Sequence, residues 1–158
     1  ARQNSGCEVW QQDFLALDLP AGRFDGVFAN ASLFHVPTQE LPRVLLELRA
    51  ALRPRGVLFC SNPHGSNEEG WSRGRYGAFL DWETWRRILR EAGYQGEIRA
   101  VGEVQVDQIA FMRRCGFDSF APDVPLDPAD ADNAFKRYDQ VYQPTTDQRA
   151  PIWKLRHG

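Results

Sequence analysis

The chain has 158 residues, of which 42% are hydrophobic and 25% are charged, which is the balance of a soluble globular protein with one sizeable core. Its formal net charge of −2 gives no electrostatic argument for nucleic acid or a membrane surface as a partner. The three cysteines, Cys7, Cys60 and Cys115, are too widely spaced to predict a disulfide framework or a metal centre. No apolar run approaches the roughly 20 residues that span a bilayer. We therefore expect a cytoplasmic protein without a bound metal.

The first half of the chain alternates predicted strands and helices. Short apolar runs predict strands over 7–14, 23–30 and 57–63. Apolar residues at helical spacing predict a helix over 39–52, with Leu48 on its buried stripe. The polar, glycine-rich stretch 64–79 predicts a loop over a surface or a site.

The second half continues the same alternation. Helices are predicted from Asp81 to Gly93, over 104–116 and from Asp127 to 142, and strands over 97–102 and 117–122. Strands that alternate with helices predict an α/β fold with a mainly parallel sheet. We expect a Rossmann-like three-layer sandwich, incomplete at its N-terminus, that forms a single domain over 1–158.

Two packing relationships follow from this fold. Long helical segments separate the strands, so 24–30, 57–62 and 97–101 are predicted to be neighbouring parallel strands. The last helix is predicted to pack Ala131, Phe135 and Tyr138 against that sheet.

The order "QQDF", "FDGVFANASLFHVP" and "LPRVLLELRAALRPRGVLFCSNP" resembles the class I S-adenosylmethionine-dependent methyltransferases over about residues 6–94. In that family, one strand ends in an acidic residue near the adenine, and another ends at the methyl donor and the substrate. A helix and a strand follow, joined by a motif that here reads "LRPRGVLF".

The resemblance implies a cofactor site at the carboxyl ends of the strands. Asp13 and the backbone of Phe14 would bind the adenine, Asn30 and Ser32 would lie near the sulfonium end, and His35 would orient a substrate or accept its proton. Other roles are open for three of these residues. Asp13 also fits a turn, Asn30 also fits a simple strand end, and His35 also fits a hydrogen-bonded packing residue.

Three further residues are candidates for binding a substrate or an anion. Arg75 and Tyr76 lie in the predicted loop 64–79, which is either a mobile cover over the site or a solvated segment. Arg99 follows a strand residue and would either bind an anion such as sulfite or pair with Glu97 or Asp107.

The sequence lacks the segments that bind the methionine and ribose parts of the cofactor in the methyltransferase family. The family places a GxGxG turn and a ribose-binding acidic residue upstream of the adenine-side aspartate. Here 12 residues precede Asp13, they contain the single glycine Gly6, and no GxGxG occurs elsewhere. We therefore expect S-adenosylmethionine binding to be weak or absent and the fragment to be inactive alone.

The segment of about residues 89–158 resembles a different family. The runs "IRAVG", "RCGFDSF" and "VYQPTTDQRAPIWKLRHG" are similar to the C-terminal part of a bacterial family encoded with sulfite-reduction genes and described as an oxidoreductase. The chain thus looks chimeric, with a methyltransferase-like part at 1–94 and a second part at 95–158. The alternatives to a methyltransferase-like fragment are an accessory protein that binds sulfite-reduction enzymes and an artificial chimera without activity. A small molecule is the expected substrate if there is one.

Overall fold

The computed structural model describes residues 6–155 and confirms an α/β protein. The chain consists of two compact units, Ala1–Asp81 and Trp82–Gly158. The proposal that residues 1–158 form one domain stays a prediction.

The first unit contains one parallel strand pair, one helix and one hairpin. In chain order, its elements are β1 (Phe24–Asn30), a 3₁₀ turn (Leu33–His35), α1 (Leu41–Ala51), β2 (Leu52–Ser61), β3 (Glu68–Ser72) and β4 (Arg75–Phe79). Strands β1 and β2 are parallel, and β3 and β4 are antiparallel. The predicted strands at 23–30 and 57–63 and the predicted helix at 39–52 are therefore confirmed, with shifted ends.

Helix α1 supplies much of the core of this unit. Its buried residues recur every three or four positions, which keeps them on one face of a helix with 3.6 residues per turn. Burying each leucine or valine among them stabilises the fold by about 1.5–3 kcal/mol. They are Leu41, Val44, Leu45, Leu48 and Ala51.

The segment between α1 and the regular part of β2 is irregular. Phe24 pairs with Leu52, and Gly26 pairs with Val57. The register therefore advances by five residues along β2 but by only two along β1, which is a bulge in β2. Arg55 lies in this extra length with φ +68°, a left-handed conformation that side chains other than glycine rarely adopt. The bulge therefore carries local backbone strain.

Two sequence predictions in the first unit are wrong. The segment 7–14 does not form a strand, and its described residues show only a bridge between Asp13 and Ala16. Here the side chain of Gln12 instead bonds the backbone of Asp18 in both directions. The stretch 64–79 is not a loop, because most of it forms the β3–β4 hairpin.

The hairpin was missed because its turn is short and its strands are rich in glycine and polar residues. Arg73 (φ +49°) and Gly74 (φ +76°) form a two-residue connection with positive φ at both positions. Such turns match the right-handed twist of paired strands and are preferred in tight hairpins.

The second unit contains α2 (Trp82–Glu91), β5 (Arg99–Gly102), α3 (Ile109–Arg114), β6 (Ser119–Pro122), α4 (Pro128–Lys136) and α5 (Ile152–Leu155). Strands β5 and β6 pair in parallel. The core cluster consists of Ala100, Val104, Ile109 and Met112. Asp127 is the predicted start of this helix, and it caps α4, since its carboxylate accepts hydrogen bonds from the backbone of Ala129 and Asp130.

The packing predictions for this unit hold in part. Ala131 and Phe135 pack against the core cluster, but α4 ends at Lys136 and Tyr138 is exposed. The predicted neighbourhood of 24–30, 57–62 and 97–101 is wrong for the third segment. In the described part of the chain, β1–β2 and β5–β6 are separate two-stranded sheets.

Candidate functional site

Polar residues meet where β1 and β2 end side by side. Asn30 is the register partner of Ser61, and the Ser61 hydroxyl donates to Asn30 Oδ1 at 2.5 Å. The N–H of Ala31 donates to both the backbone oxygen and the hydroxyl of Ser61 (2.9 and 3.2 Å). Parallel strands place their carboxyl ends at one edge, so this pairing forms the floor of the candidate site.

The 3₁₀ turn continues directly from this edge. The backbone oxygen of Ser32 accepts a hydrogen bond from the N–H of His35 (3.1 Å), and the N–H of Phe34 donates to Asn62 Oδ1 (3.1 Å). Leu33 is buried, so the turn is anchored both by packing and by the residue that follows β2. Asn30, Ser32 and His35 therefore lie on one short, well-anchored segment.

His35 is the one titratable residue of this turn, and its ring is held from one side. Nδ1 lies 2.6 Å from the backbone oxygen of Tyr76. A carbonyl oxygen can only accept a hydrogen bond, so Nδ1 must carry the proton. In the neutral ring, Nε2 is then the basic nitrogen, and the side chain is exposed. This arrangement allows His35 to accept a proton from a bound molecule.

The hairpin is tied to the same turn by a carboxylate. Glu69 Oε2 accepts a hydrogen bond from the N–H of Thr38 at 3.0 Å. Hydrogen bonding by Thr38, and then by Tyr76, lowers the pKa of Glu69 and keeps it ionised. Burial, together with the Glu69 carboxylate, raises the pKa of the Tyr76 phenol. The expected mobile cover is thus a hairpin with defined contacts to the turn.

The two arginine candidates lie in different places. Arg75 is exposed at the start of β4 and pairs in register with Ser72, and within residues 6–155 it forms no ion pair. Arg99 lies in the second unit, where its guanidinium bonds Glu97 (3.0 Å) and Ser119 (3.1 Å). Pairing with Glu97 is therefore observed for Arg99, and an anion-binding role for either arginine stays a prediction.

Asp13 and Phe14 lie on an irregular segment at the surface of the first unit. Asp13 Oδ1 accepts the N–H of Leu15 at 2.9 Å, the geometry of a turn residue. The backbone oxygen of Phe14 accepts a hydrogen bond from Arg43 at 3.3 Å. Gln11, Gln12, Asp13 and Phe14 line an open depression of about 580 Å³.

The residues present do not fit S-adenosylmethionine as a complete site. In the family that the sequence resembles, a glycine-rich turn after a strand holds the methionine end. No such turn occurs among the strands of residues 6–155. One oxygen of Asp13 is already used in its own turn. The described residues therefore place polar side chains at the edge of β1 and β2 but lack the turn that would hold the methionine end.

The described residues contain no group of three or more histidine, cysteine, aspartate or glutamate side chains that could hold a metal ion. Across the same residues, no helix combines the length and the apolar character needed to cross a membrane.

Sequence reasoning missed several residues of this edge. Ser61 and Asn62 directly follow the apolar run of β2, so their position at a strand end was a usable signal. Glu69 carried no such signal, because its placement depends on the hairpin. A two-residue turn at Arg73 and Gly74 was the only clue to it.

Comparison with known families divides the chain in the same way as the sequence patterns. Residues 1–60 match the family model described as a methyltransferase domain. Residues 83–153 match a model described as a bacterial protein of unknown function, DUF934. The chain therefore joins a methyltransferase-like part to a DUF934-like part. No curated protein matches the chain.

Proposed function

We propose that the first unit is a methyltransferase-like module that carries the acceptor side of an S-adenosylmethionine-dependent site and binds that cofactor weakly or not at all on its own. The observation that carries this proposal is the polar strand edge of Asn30 and Ser61, followed by His35 with its basic Nε2 directed away from the hydrogen-bonded Nδ1. The match of residues 1–60 to a methyltransferase domain supports it.

The chain's own residues would act on a small-molecule acceptor. His35 Nε2 would take the proton that the acceptor loses, while the bond from Nδ1 to Tyr76 keeps the ring in one tautomer. Asn30 and Ser32 would offer polar atoms beside it, and Arg75 would be the nearest candidate for an anionic group on the same hairpin as Tyr76. Asp13 and Phe14 would border the adenine.

A calorimetric titration of the chain with S-adenosylmethionine tests this proposal. Each backbone or charge-assisted hydrogen bond that the missing glycine-rich turn and ribose carboxylate would supply is worth about 1–3 kcal/mol. We expect no saturable heat in the micromolar range. Low-micromolar binding that Asn30→Ala abolishes would overturn the proposal of a weak site.

A second candidate concerns the other half of the chain. Residues 83–153 match a family model of bacterial proteins of unknown function. The sequence of this region resembles proteins encoded with sulfite-reduction genes. On this basis the second unit would act as a cytoplasmic accessory module that binds a sulfite-reduction enzyme. Surface plasmon resonance with purified sulfite reductase tests it, and binding that Arg99→Ala weakens supports it. Absence of binding at micromolar concentrations contradicts it.

A recombined chimera that folds without activity is the third candidate, and its support is the meeting of two family matches in one chain. The expected Rossmann-like three-layer fold would accompany the methyltransferase-like module. Differential scanning calorimetry distinguishes the inactive chimera from the methyltransferase-like module. Cooperative unfolding that neither S-adenosylmethionine nor sulfite shifts favours the inactive chimera, and a ligand-dependent rise in Tm contradicts it.

A further inference from the structure

The β3–β4 hairpin presents two aromatic rings at a right-angled corner. Trp71 and Tyr76 are register partners, with ring centroids 5.8 Å apart and an interplanar angle of 74°. Trp71 is 77% exposed, far more than a tryptophan needs for packing. An exposed large aromatic whose orientation is set by a neighbour is a typical binding element.

A carboxylate lies on the same face as this aromatic corner. Glu69 precedes Trp71 by two residues on β3, so both side chains point to one side of the hairpin. The hydrogen bond from the N–H of Thr38 holds Glu69 in place. We call Glu69, Trp71 and Tyr76 together the aromatic corner.

The aromatic corner is held rigid from two sides. The tight turn at Arg73 and Gly74 sets the pairing of β3 with β4, and the backbone oxygen of Tyr76 is bonded to His35. A binding surface that is ordered before its ligand arrives loses less conformational entropy on binding. Arg75 is one residue from Tyr76 and therefore lies on the opposite face.

We propose that the aromatic corner binds an organic cation of the quaternary or methylated ammonium type. The faces of tryptophan and tyrosine carry negative electrostatic potential and attract such cations. Trp71 is largely exposed, so its ring is accessible to a rounded ligand beside Tyr76. Glu69 adds a negative charge on that face, since its pKa is lowered. A small anion would be repelled by the same carboxylate and ring faces.

The test is a titration of the full ¹⁵N-labelled chain with tetramethylammonium chloride, followed through the indole N–H signal of Trp71 in NMR spectra. Sodium chloride at equal ionic strength is the control salt. We expect a saturable shift of this signal in the millimolar range with tetramethylammonium and none with sodium. Loss of the Trp71 ring by Trp71→Ala should weaken binding about threefold or more, measured by calorimetry.

Two further variants separate the aromatic corner from nonspecific binding. Glu69→Gln should weaken binding at least about twofold, and the spectrum of the variant shows whether it is folded. Phe28→Ala removes another exposed aromatic, 74% accessible on β1, and should leave binding unchanged. A shift that does not saturate, an equal response to sodium, or preferential binding of benzoate would each overturn the proposal.

Discussion

The imidazole Nδ1 of His35 lies 2.6 Å from the backbone oxygen of Tyr76, which joins the turn after β1 to the second strand of the hairpin. These residues are 41 positions apart, so the bond closes a long loop across the first unit. The ring of the neighbouring Phe34 also packs against Phe79, with centroids 5.8 Å apart. The candidate base and the hairpin should therefore respond together to a change in either.

Replacing His35 by alanine should loosen the hairpin more than it destabilises the whole unit. The change removes one hydrogen bond from an exposed side chain, which costs about 0.5–1.5 kcal/mol. We expect a small fall in the free energy of unfolding by urea denaturation. Amide exchange in 68–79 should become faster, while amides of α1 keep their protection.

Leu48→Ala is the matched comparison in the core of the same unit. Leu48 is buried on the stripe of α1, and its truncation should cost about 2–5 kcal/mol. If His35→Ala costs as much as Leu48→Ala, then His35 is a structural residue and its assignment as a proton acceptor is wrong.

Arg55→Gly should stabilise the protein. Arg55 has φ +68°, where a side chain costs about 1–2 kcal/mol that glycine does not incur. Glycine also has more conformational entropy in the unfolded chain, which reduces this gain in stability by about 0.4–1 kcal/mol. The net expectation is a gain of about 0.5–1 kcal/mol, measured by urea denaturation.

Arg55→Ala provides the control for the loss of the arginine side chain, since alanine keeps the same backbone penalty. Its free energy of unfolding should stay within about 0.5 kcal/mol of the wild type because Arg55 is exposed. Equal gains for alanine and glycine would mean that the side chain, and not the backbone conformation, is the source of the strain.

The elements that the sequence predicted correctly are those in which one local signal suffices. The apolar stripe of α1 and the cap at Asp127 depend on residues within a few positions of each other. Gly93 likewise follows α2 with φ +80°, as its position after the helix predicts. Strand neighbours depend on distant segments, so the pairing of β5 with β6 could not be derived from periodicity.

In the candidate site too, sequence patterns predicted local features but not contacts between distant segments. Asn30, Ser32 and His35 were predictable because a strand end carries its loop to the edge of a sheet. The bond from His35 to Tyr76 was not predictable, because it requires the hairpin to lie beside the turn. A glycine-rich segment gives weak periodicity, so the turn residues Arg73 and Gly74 were the only signal for the hairpin, and its aromatic pair had none.

Gly65→Ala should destabilise the base of the hairpin strongly. A Cβ at this position would lie 2.4 Å from Phe79 Cβ and 2.5 Å from its backbone oxygen, so the backbone would have to shift. Overpacking of this kind costs about 1–3 kcal/mol. The neighbouring change Ser66→Ala, at an exposed residue, should alter stability by less than about 0.5 kcal/mol in the same thermal melts. Similar melting temperatures for both variants would contradict the close packing at Gly65.

An ion pair between Arg114 and Asp147 holds the C-terminal segment of the second unit. Asp147 accepts a hydrogen bond from Arg114 Nε at 2.8 Å, and Arg114 also donates to the backbone oxygen of Gln143. Burial alone would raise the pKa of Asp147, but hydrogen bonds from Arg114, Thr145 and the Arg149 backbone outweigh it and lower the pKa.

A carboxylate whose pKa is lower in the folded than in the unfolded chain stabilises the fold at any pH above its unfolded value, about 3.9 for aspartate. This stabilisation is lost as the pH falls through that value toward the folded pKa. Asp147→Asn should therefore cost about 1–3 kcal/mol at pH 7, and the difference from the wild type should shrink below about pH 4. Asp132→Asn, at an exposed aspartate 3.8 Å from Lys136, should cost little at either pH. Urea denaturation at pH 7 and at pH 3 measures the free energy of unfolding of both variants. If the loss of stability in Asp147→Asn is the same at both pH values, then the charge of Asp147 does not stabilise the C-terminal segment.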